Sequence, residues 1–198
     1  MTVSYRQVKN DFLSGRFKGC KSFFKKNGYY VEAGYCDIIL DNLKEAEQDF
    51  NVALEYDRRA HWGLLLIQMI KGDISMRPTY FEVRNFLEMD LSILILYGKS
   101  KYIEQIIRYA DFLAFYNMEC YKFIGRSFWA NNYIPAAMFF LRLAKDKLYN
   151  DPELHYLLAY IYYYIDNDIK KCENEINTCL NILPKYYPAR KLLSIVRS

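Results

Sequence analysis

Residues 134–148, IPAAMFFLRLAKDKL, hold two small residues, Ala137 and Ala144, seven positions apart with the bulky Leu141 between them. Two turns of α-helix bring all three onto one stripe, where the small residues let a neighbouring helix approach and the large one fills the groove so formed. The pattern recurs at Ala46, Phe50 and Ala53 in LKEAEQDFNVALEY and at Cys172, Ile176 and Cys179 in IKKCENEINTCLNIL, and Cys20 with Phe24 in FKGCKSFFKK repeats half of it. A short polar turn precedes such helices: Ser14-Gly15-Arg16, Asp41-Asn42, Gly98-Lys99-Ser100-Lys101, Asn131-Asn132 and Asp166-Asn167-Asp168. These residues supply helix caps and left-handed backbone. Before each turn lies another helical segment, at 4–13, 29–40, 60–70, 91–97, 118–130 and 153–165. The unit is a helical hairpin. Phase markers at 20, 46, roughly 77, 105, 137 and 172 put successive units 26 to 35 residues apart. Repeats of that length cannot bury their own apolar face and stack into a solenoid.

Composition agrees with a helical chain. The 198 residues are 53% apolar and 18% aromatic, too apolar for disorder, while eight Gly and five Pro are too few for a β-sandwich or for glycine-rich phosphate loops. The five cysteines, Cys20, Cys36, Cys120, Cys172 and Cys179, are odd in number and form no Cys-x-x-Cys unit, which excludes a disulfide framework or a zinc site. The first residues lack the apolar core of a signal peptide, and the longest apolar stretch, 154–165, is short of a membrane span, so a cytoplasmic protein without a membrane partner is expected. Charge is uneven. Residues 1–30 hold seven Lys/Arg and one Asp, a net +6, within a chain of net +4. A solvated capping face accounts for this, with an acidic partner or nucleic acid as the alternative.

The two units over 118–196 resemble tetratricopeptide repeats (TPR). Tyr121, Ile124-Gly125, Phe128, Ala137, Leu141 and Ala144 fit one copy of that 34-residue pattern. Leu158-Ala159, Tyr162, Cys172, Ile176, Cys179 and Pro184 fit the next, with one residue inserted within 164–166 and Asp151-Pro152 as the inter-repeat turn. Gly34, Ala46, Phe50 and Ala53 fit an earlier unit. The resemblance implies an all-α fold: a right-handed α-α superhelix, or solenoid, of about six helical hairpins plus a C-terminal capping helix. It implies one domain over 1–198, with irregular repeats over 1–117, well-matched repeats over 118–186 and the cap at 187–197, where Arg190, Lys191 and Arg197 suit a wet outer face. Asn27-Gly28 closes the shortened first unit. Between 60 and 117 the pattern decays. Arg77-Pro78 stands where the third unit's second helix should begin, so that helix is expected to start at Pro78 or Thr79. Gln105 and Phe112 replace the small residues of the fourth unit, which should splay its helix pair.

No constellation for chemistry is visible. His61 and His155 fall at packing positions and are read as hydrogen-bonded structural histidines. Paired carboxylates on an apolar background, a nucleophile elbow and a phosphate loop are all lacking from the sequence, so a non-enzymatic protein without metal or cofactor is expected. Cys36 and Cys120, in first helices, are candidates for exposed thiols, but no base stands near either in sequence, which argues against a nucleophile.

In a tetratricopeptide stack the second, fifth, ninth and twelfth residues of each repeat line the concave groove. The resemblance therefore implies a peptide-binding face of Glu119, Lys122, Arg126 and Trp129 from one repeat and Glu153, Tyr156, Tyr160 and Tyr163 from the next. Each set is also an i, i+3, i+7, i+10 helical stripe. One wall reads as basic with an indole, the other as phenolic, while Tyr109, Tyr121 and Tyr162 are assigned to packing. The function that follows is an adaptor, scaffold or chaperone-like module binding a protein segment, acidic or with a free C-terminal carboxylate. Lys122 fits the family's carboxylate clamp, whereas Arg126 and Leu157 stand where the clamp has Asn. Two alternatives are single-stranded RNA binding, which a net charge of only +4 argues against, and structural self-association as a homodimer.

Overall fold

Thirteen α-helices make up the regular structure of residues 4–197, the part of the chain that the computed structural model describes. They fall into two compact units divided after Tyr116. The first contains α1 (Tyr5–Leu13), α2 (Phe17–Lys26), α3 (Tyr30–Ile39), α4 (Leu43–Ala53), α5 (Arg59–Lys71), α6 (Tyr80–Tyr97), α7 (Ser100–Arg108) and α8 (Ala110–Tyr116). The second contains α9 (Cys120–Ala130), α10 (Ile134–Lys147), α11 (Pro152–Tyr164), α12 (Ile169–Ile182) and α13 (Tyr187–Val196). The fold is all-α, and α1/α2, α3/α4, α9/α10 and α11/α12 pair as antiparallel hairpins.

Turn chemistry sets where the hairpins reverse. The residues with positive φ among those described are Gly15, Gly28, Asp41, Gly72, Asn132 and Asn167, and each lies between two helices. Gly, Asn and Asp tolerate this left-handed backbone, which lets the chain leave a helix while its last carbonyls stay bonded. Gly98 differs. It is extended, with φ −84°, where α6 passes into α7.

Packing within each hairpin follows the small-large-small stripe. Ala46, Phe50, Ala53, Ala137, Leu141, Ala144, Cys172, Ile176 and Cys179 are all completely buried. The large residue presses against a glycine of the facing helix: a Cβ at Gly34 would stand 2.8 Å from Phe50 Cε1, and one at Gly125 would stand 2.8 Å from Leu141 Cγ. Phe50 serves two neighbours, since a Cβ at Gly63 on α5 would be only 2.5 Å from the same ring. α13 closes the second unit, burying Ala189 and Leu192 against α11 and α12 while Arg190, Lys191 and Arg197 stay exposed.

The irregular middle departs from a regular hairpin series. α5 packs on both α4 and α7, and the 18-residue α6 is inserted between α5 and α7 in sequence. Residues 91–97 are the C-terminal half of α6, not a separate first helix, because 80–97 contains no Gly or Pro to interrupt it. The helix starts at Tyr80, two residues after Pro78. Thr79 caps it in a reciprocal capping box with Glu82. The fourth unit's phase also differs from the expected one: Tyr102 and Ile106 are buried, while Gln105 is partly exposed. Lys99 and the Tyr102 hydroxyl both bond the Asp41 carboxylate, which fixes the start of α7 beside the α3/α4 turn.

α6 packs on α5, α7 and α8, and its Asp90 side chain reaches α3. α1 and α3 are joined by Tyr5 Oη donating to Glu32 Oε1 at 3.0 Å, and α3 and α5 by Arg59 Nη2 donating to the same oxygen at 3.0 Å. From α6, Asp90 Oδ2 accepts from Trp62 Nε1 at 2.7 Å and from Tyr35 Oη at 2.9 Å. Burial pushes the Asp90 carboxyl up to about 7, although the Trp62 and Tyr35 hydrogen bonds pull the other way. The basic N-terminal segment is partly neutralised from within: Lys21 pairs with the buried Asp37 at 2.5 Å and Lys25 with Asp49 at 3.0 Å.

Two outcomes follow from these contacts. Gly63→Ala should destabilise the protein by about 1–3 kcal/mol, read from the urea midpoint, and Phe50→Leu in the same chain should recover part of that loss. Because the folded-state pKa of Asp90 is raised, its favourable contribution is present at acid pH and declines as pH rises through about 7. The melting temperature should therefore fall between pH 5 and pH 8 more in the parent than in Asp90→Asn. Parallel profiles would exclude this assignment.

Candidate functional site

The clearest cluster of polar and aromatic side chains in the second unit is organised by Asp151-Pro152. Pro152 opens α11 at a position that needs no amide hydrogen, and Asp151 caps the helix by accepting from the Leu154 amide at 3.2 Å. The other Asp151 oxygen accepts from Lys122 Nζ on α9 at 2.5 Å. Lys122 also meets Glu119 at 3.0 Å and Glu153 at 3.5 Å, and Arg126 Nη1 donates to Glu153 Oε1 at 3.0 Å. Burial pushes the Lys122 ammonium down, but the bonds and charges of Asp151 and Glu119 outweigh it and hold the pKa above the ordinary lysine value.

Aromatic rings continue from this network. Trp129 on α9 contacts Tyr160 on α11, with centroids 5.6 Å apart. Tyr160 contacts Tyr156 at 6.3 Å and Tyr164 at 4.4 Å, and Tyr156 contacts Tyr186, just before α13, at 5.7 Å. Tyr163 packs edge-on against Tyr164 at 4.8 Å. Trp129, Tyr156, Tyr160, Tyr163 and Tyr186 are each partly exposed, and Tyr164 more so. Burial raises the pKa of the Tyr156 and Tyr186 phenols, so both are neutral hydroxyls near pH 7.

All eight residues expected from the sequence lie on α9, at its start, or on α11. The structure divides them into a charged cluster (Glu119, Lys122, Arg126, Glu153) and a ring ladder (Trp129, Tyr156, Tyr160, Tyr163). The α9 wall is not a basic surface. With Asp151 included, three carboxylates surround the two cations, and the Lys122 side chain is only 6% exposed. Asp151, Tyr164 and Tyr186 also belong to the cluster. Asp151 was legible as a helix cap, but its second role depends on Lys122, 29 positions away.

The histidines are engaged in packing. His155 is fully buried, with Nδ1 2.6 Å from Glu175 Oε2 and Nε2 2.7 Å from the Tyr149 carbonyl. Burial pushes the Glu175 carboxyl up, yet His155 and Lys145 bring its pKa below the ordinary value. His61 Nδ1 lies 2.7 Å from Glu82 Oε1. The expected exposure of Cys36 and Cys120 is corrected: both thiols are fully buried, because their helical faces point at the neighbouring helices. Burial also raises the Cys36 pKa strongly, which keeps it a thiol. Among the described residues, no group of three or more His, Cys, Asp or Glu is placed to hold a metal ion, and no helix is long and apolar enough to cross a membrane.

These features define an all-α protein of helical hairpins with an aromatic and ion-paired face on its second unit. No protein-family model matches the chain, and no curated protein matches it. Among solved structures it is similar to YrrB, described as a TPR protein with an unusual peptide-binding site, at 15% identity and a TM-score of 0.44, over 96% of this chain and 89% of that one. With a TM-score below 0.5, the helix pairing above stands on this chain's own contacts.

Lys122→Met should leave Glu119, Asp151 and Glu153 clustered without their shared cation. Removing one partner of a fully buried pair costs about 3–5 kcal/mol, and these carboxylates retain some access to water, so a loss of about 2 kcal/mol is expected from chemical denaturation. An unchanged midpoint would show that the network does not hold α9 to α11.

Proposed function

We propose that the protein is a non-enzymatic interaction module whose second unit binds a protein segment on the face formed by α9, α11 and the start of α13. The ring ladder Trp129–Tyr160–Tyr156–Tyr186 carries this reading. Partly exposed rings in mutual contact offer a rigid apolar surface with little side-chain entropy left to lose, and their hydroxyls and indole N–H can bond a peptide backbone. Arginine or proline side chains of a ligand would stack on the same faces. The cations beside the ladder are already matched by Glu119, Asp151 and Glu153, so aromatic contact supplies most of the affinity and net charge little. A carboxylate on the partner would have to share Arg126 with Glu153.

The test is selection of peptides from a random displayed library on the full chain, followed by calorimetry on a selected sequence. Trp129→Ala and Tyr160→Ala should each weaken binding by about tenfold or more, equal to about 1.4 kcal/mol. Phe139→Ala, on the exposed side of α10, should leave it unchanged. Affinity should change little between low and high salt, whereas RNA binding through phosphates would fall steeply. Equal affinities for all three variants would remove the ladder from the site.

A further inference from the structure

α6 carries two stripes. Val83, Leu87, Leu91 and Leu94 are buried and hold the helix in the core of the first unit, where it packs on α5, α7 and α8. Phe86, Asp90 and Ile93, at i, i+4 and i+7, line a cavity of about 150 Å³ instead, whose other walls come from α1, α2, α3 and α5. Because the first stripe fixes α6, the cavity is preformed. Lys9, Leu13 and Met89 also line it and are exposed, which places its entrance between α1 and α6.

Two kinds of side chain meet in this space. The walls are largely aromatic: the Phe24 ring centre lies 6.1 Å from that of Tyr5 and 6.4 Å from that of Phe12, and Tyr35 and Phe86 complete the lining. The polar group is the Asp90 carboxylate, on a residue only 3% exposed. Its Oδ2 accepts from both Trp62 Nε1 and Tyr35 Oη, while Oδ1 accepts from none of the described residues. Burial raises its pKa to about 7, as expected of a carboxylate short of a counter-charge. The cations that line the cavity do not supply one. Arg59 pairs with Asp57 and Glu32, and Lys9 stands in water, which screens its charge. A mere packing defect among apolar side chains has no charged atom in its wall, whereas this cavity has an anionic oxygen without a donor.

We propose that this cavity binds a small organic ammonium ion, whose N–H donates to Asp90 Oδ1 while its apolar body lies among the rings of Phe12, Phe24 and Phe86. Aromatic faces attract cations, and a surrounding poor in water strengthens the pairing with the carboxylate. Volume sets the size of the ligand, since a cavity of this order takes one six-membered ring. Asp90 repels a carboxylate or phosphate. A neutral alcohol can donate the same hydrogen bond but leaves the carboxylate without its counter-charge. The site lies wholly within the first unit and does not rest on the ring ladder of the second.

The probe is benzylammonium, titrated into the full chain while the methionine and isoleucine methyl groups are followed by NMR. Saturable shifts of the Met89 and Ile93 methyls are expected. Benzyl alcohol, of the same shape without the charge, should bind about tenfold more weakly or worse, because the hydrogen bond it makes is not between opposite charges. Asp90→Asn keeps an acceptor for Trp62 and Tyr35 and removes the charge, so it should bind the two probes equally. Shifts confined to methyls outside the first unit, no saturation in the millimolar range, or equal affinity of the parent for both probes would each overturn the proposal. An Asp90→Asn chain that keeps the parent's preference for the amine would do the same. If that variant does not fold, the comparison of the two probes on the parent decides alone.

Discussion

Phe50 inserts between Gly34 and Gly63, where a Cβ on either glycine would stand within 2.8 Å of its ring. Three successive helices, α3, α4 and α5, meet at one ring, and the two glycines let α3 and α5 approach closer than any side chain would permit. Tyr35 packs edge-on against the same ring at 5.4 Å, and the hydroxyl of that tyrosine reaches Asp90. A methyl group at either glycine would therefore be felt at the α6 anchor as well as within the hairpin. The second unit repeats the principle with Gly125 and Leu141, which sets the distance between α9 and α10.

Rigid spacing of the hairpins gives the surface of the second unit its character. Once α9 and α11 are fixed side by side, Lys122 has nowhere to point but toward Asp151, Glu119 and Glu153, and Trp129 comes to rest against Tyr160. The charged residues hold the helices together, and the rings beyond them are left facing outward. One stripe of each helix thus carries two tasks, divided by depth: the buried end is structural and the half-exposed end is available for contact.

In the first unit, helix spacing and charge lead to a different result. Here α6 lies over Trp62 and Tyr35, and its buried Asp90 accepts from these two neutral donors. Buried carboxylates without a cation are costly, and a cavity remains beside this one.

The hairpins were legible because their signals are local. Left-handed backbone at Asp41, Asn132 and Asn167 favours Gly, Asn or Asp at that position, and the stripe of Ala137, Leu141 and Ala144 needs only helical periodicity, so both can be read from a dozen residues. The buried state of Cys36 and Cys120 was missed because a first helix has more than one covered side, and sequence spacing alone does not say how many. The same limit hid the role of Lys122. Its position on the inner stripe was evident, but whether it faces a ligand or three carboxylates depends on how far α11 stands from it. Sequence by itself thus determined the helices, their turns and their small-large packing code, which are set by interactions within a few turns of chain. Only the tertiary structure decided that α5 packs on α7, that α6 packs on α5, α7 and α8 and that Asp90 meets Tyr35 from 55 positions away. Those outcomes depend on which surfaces exclude water from one another once the hairpins have stacked, and no local pattern encodes that.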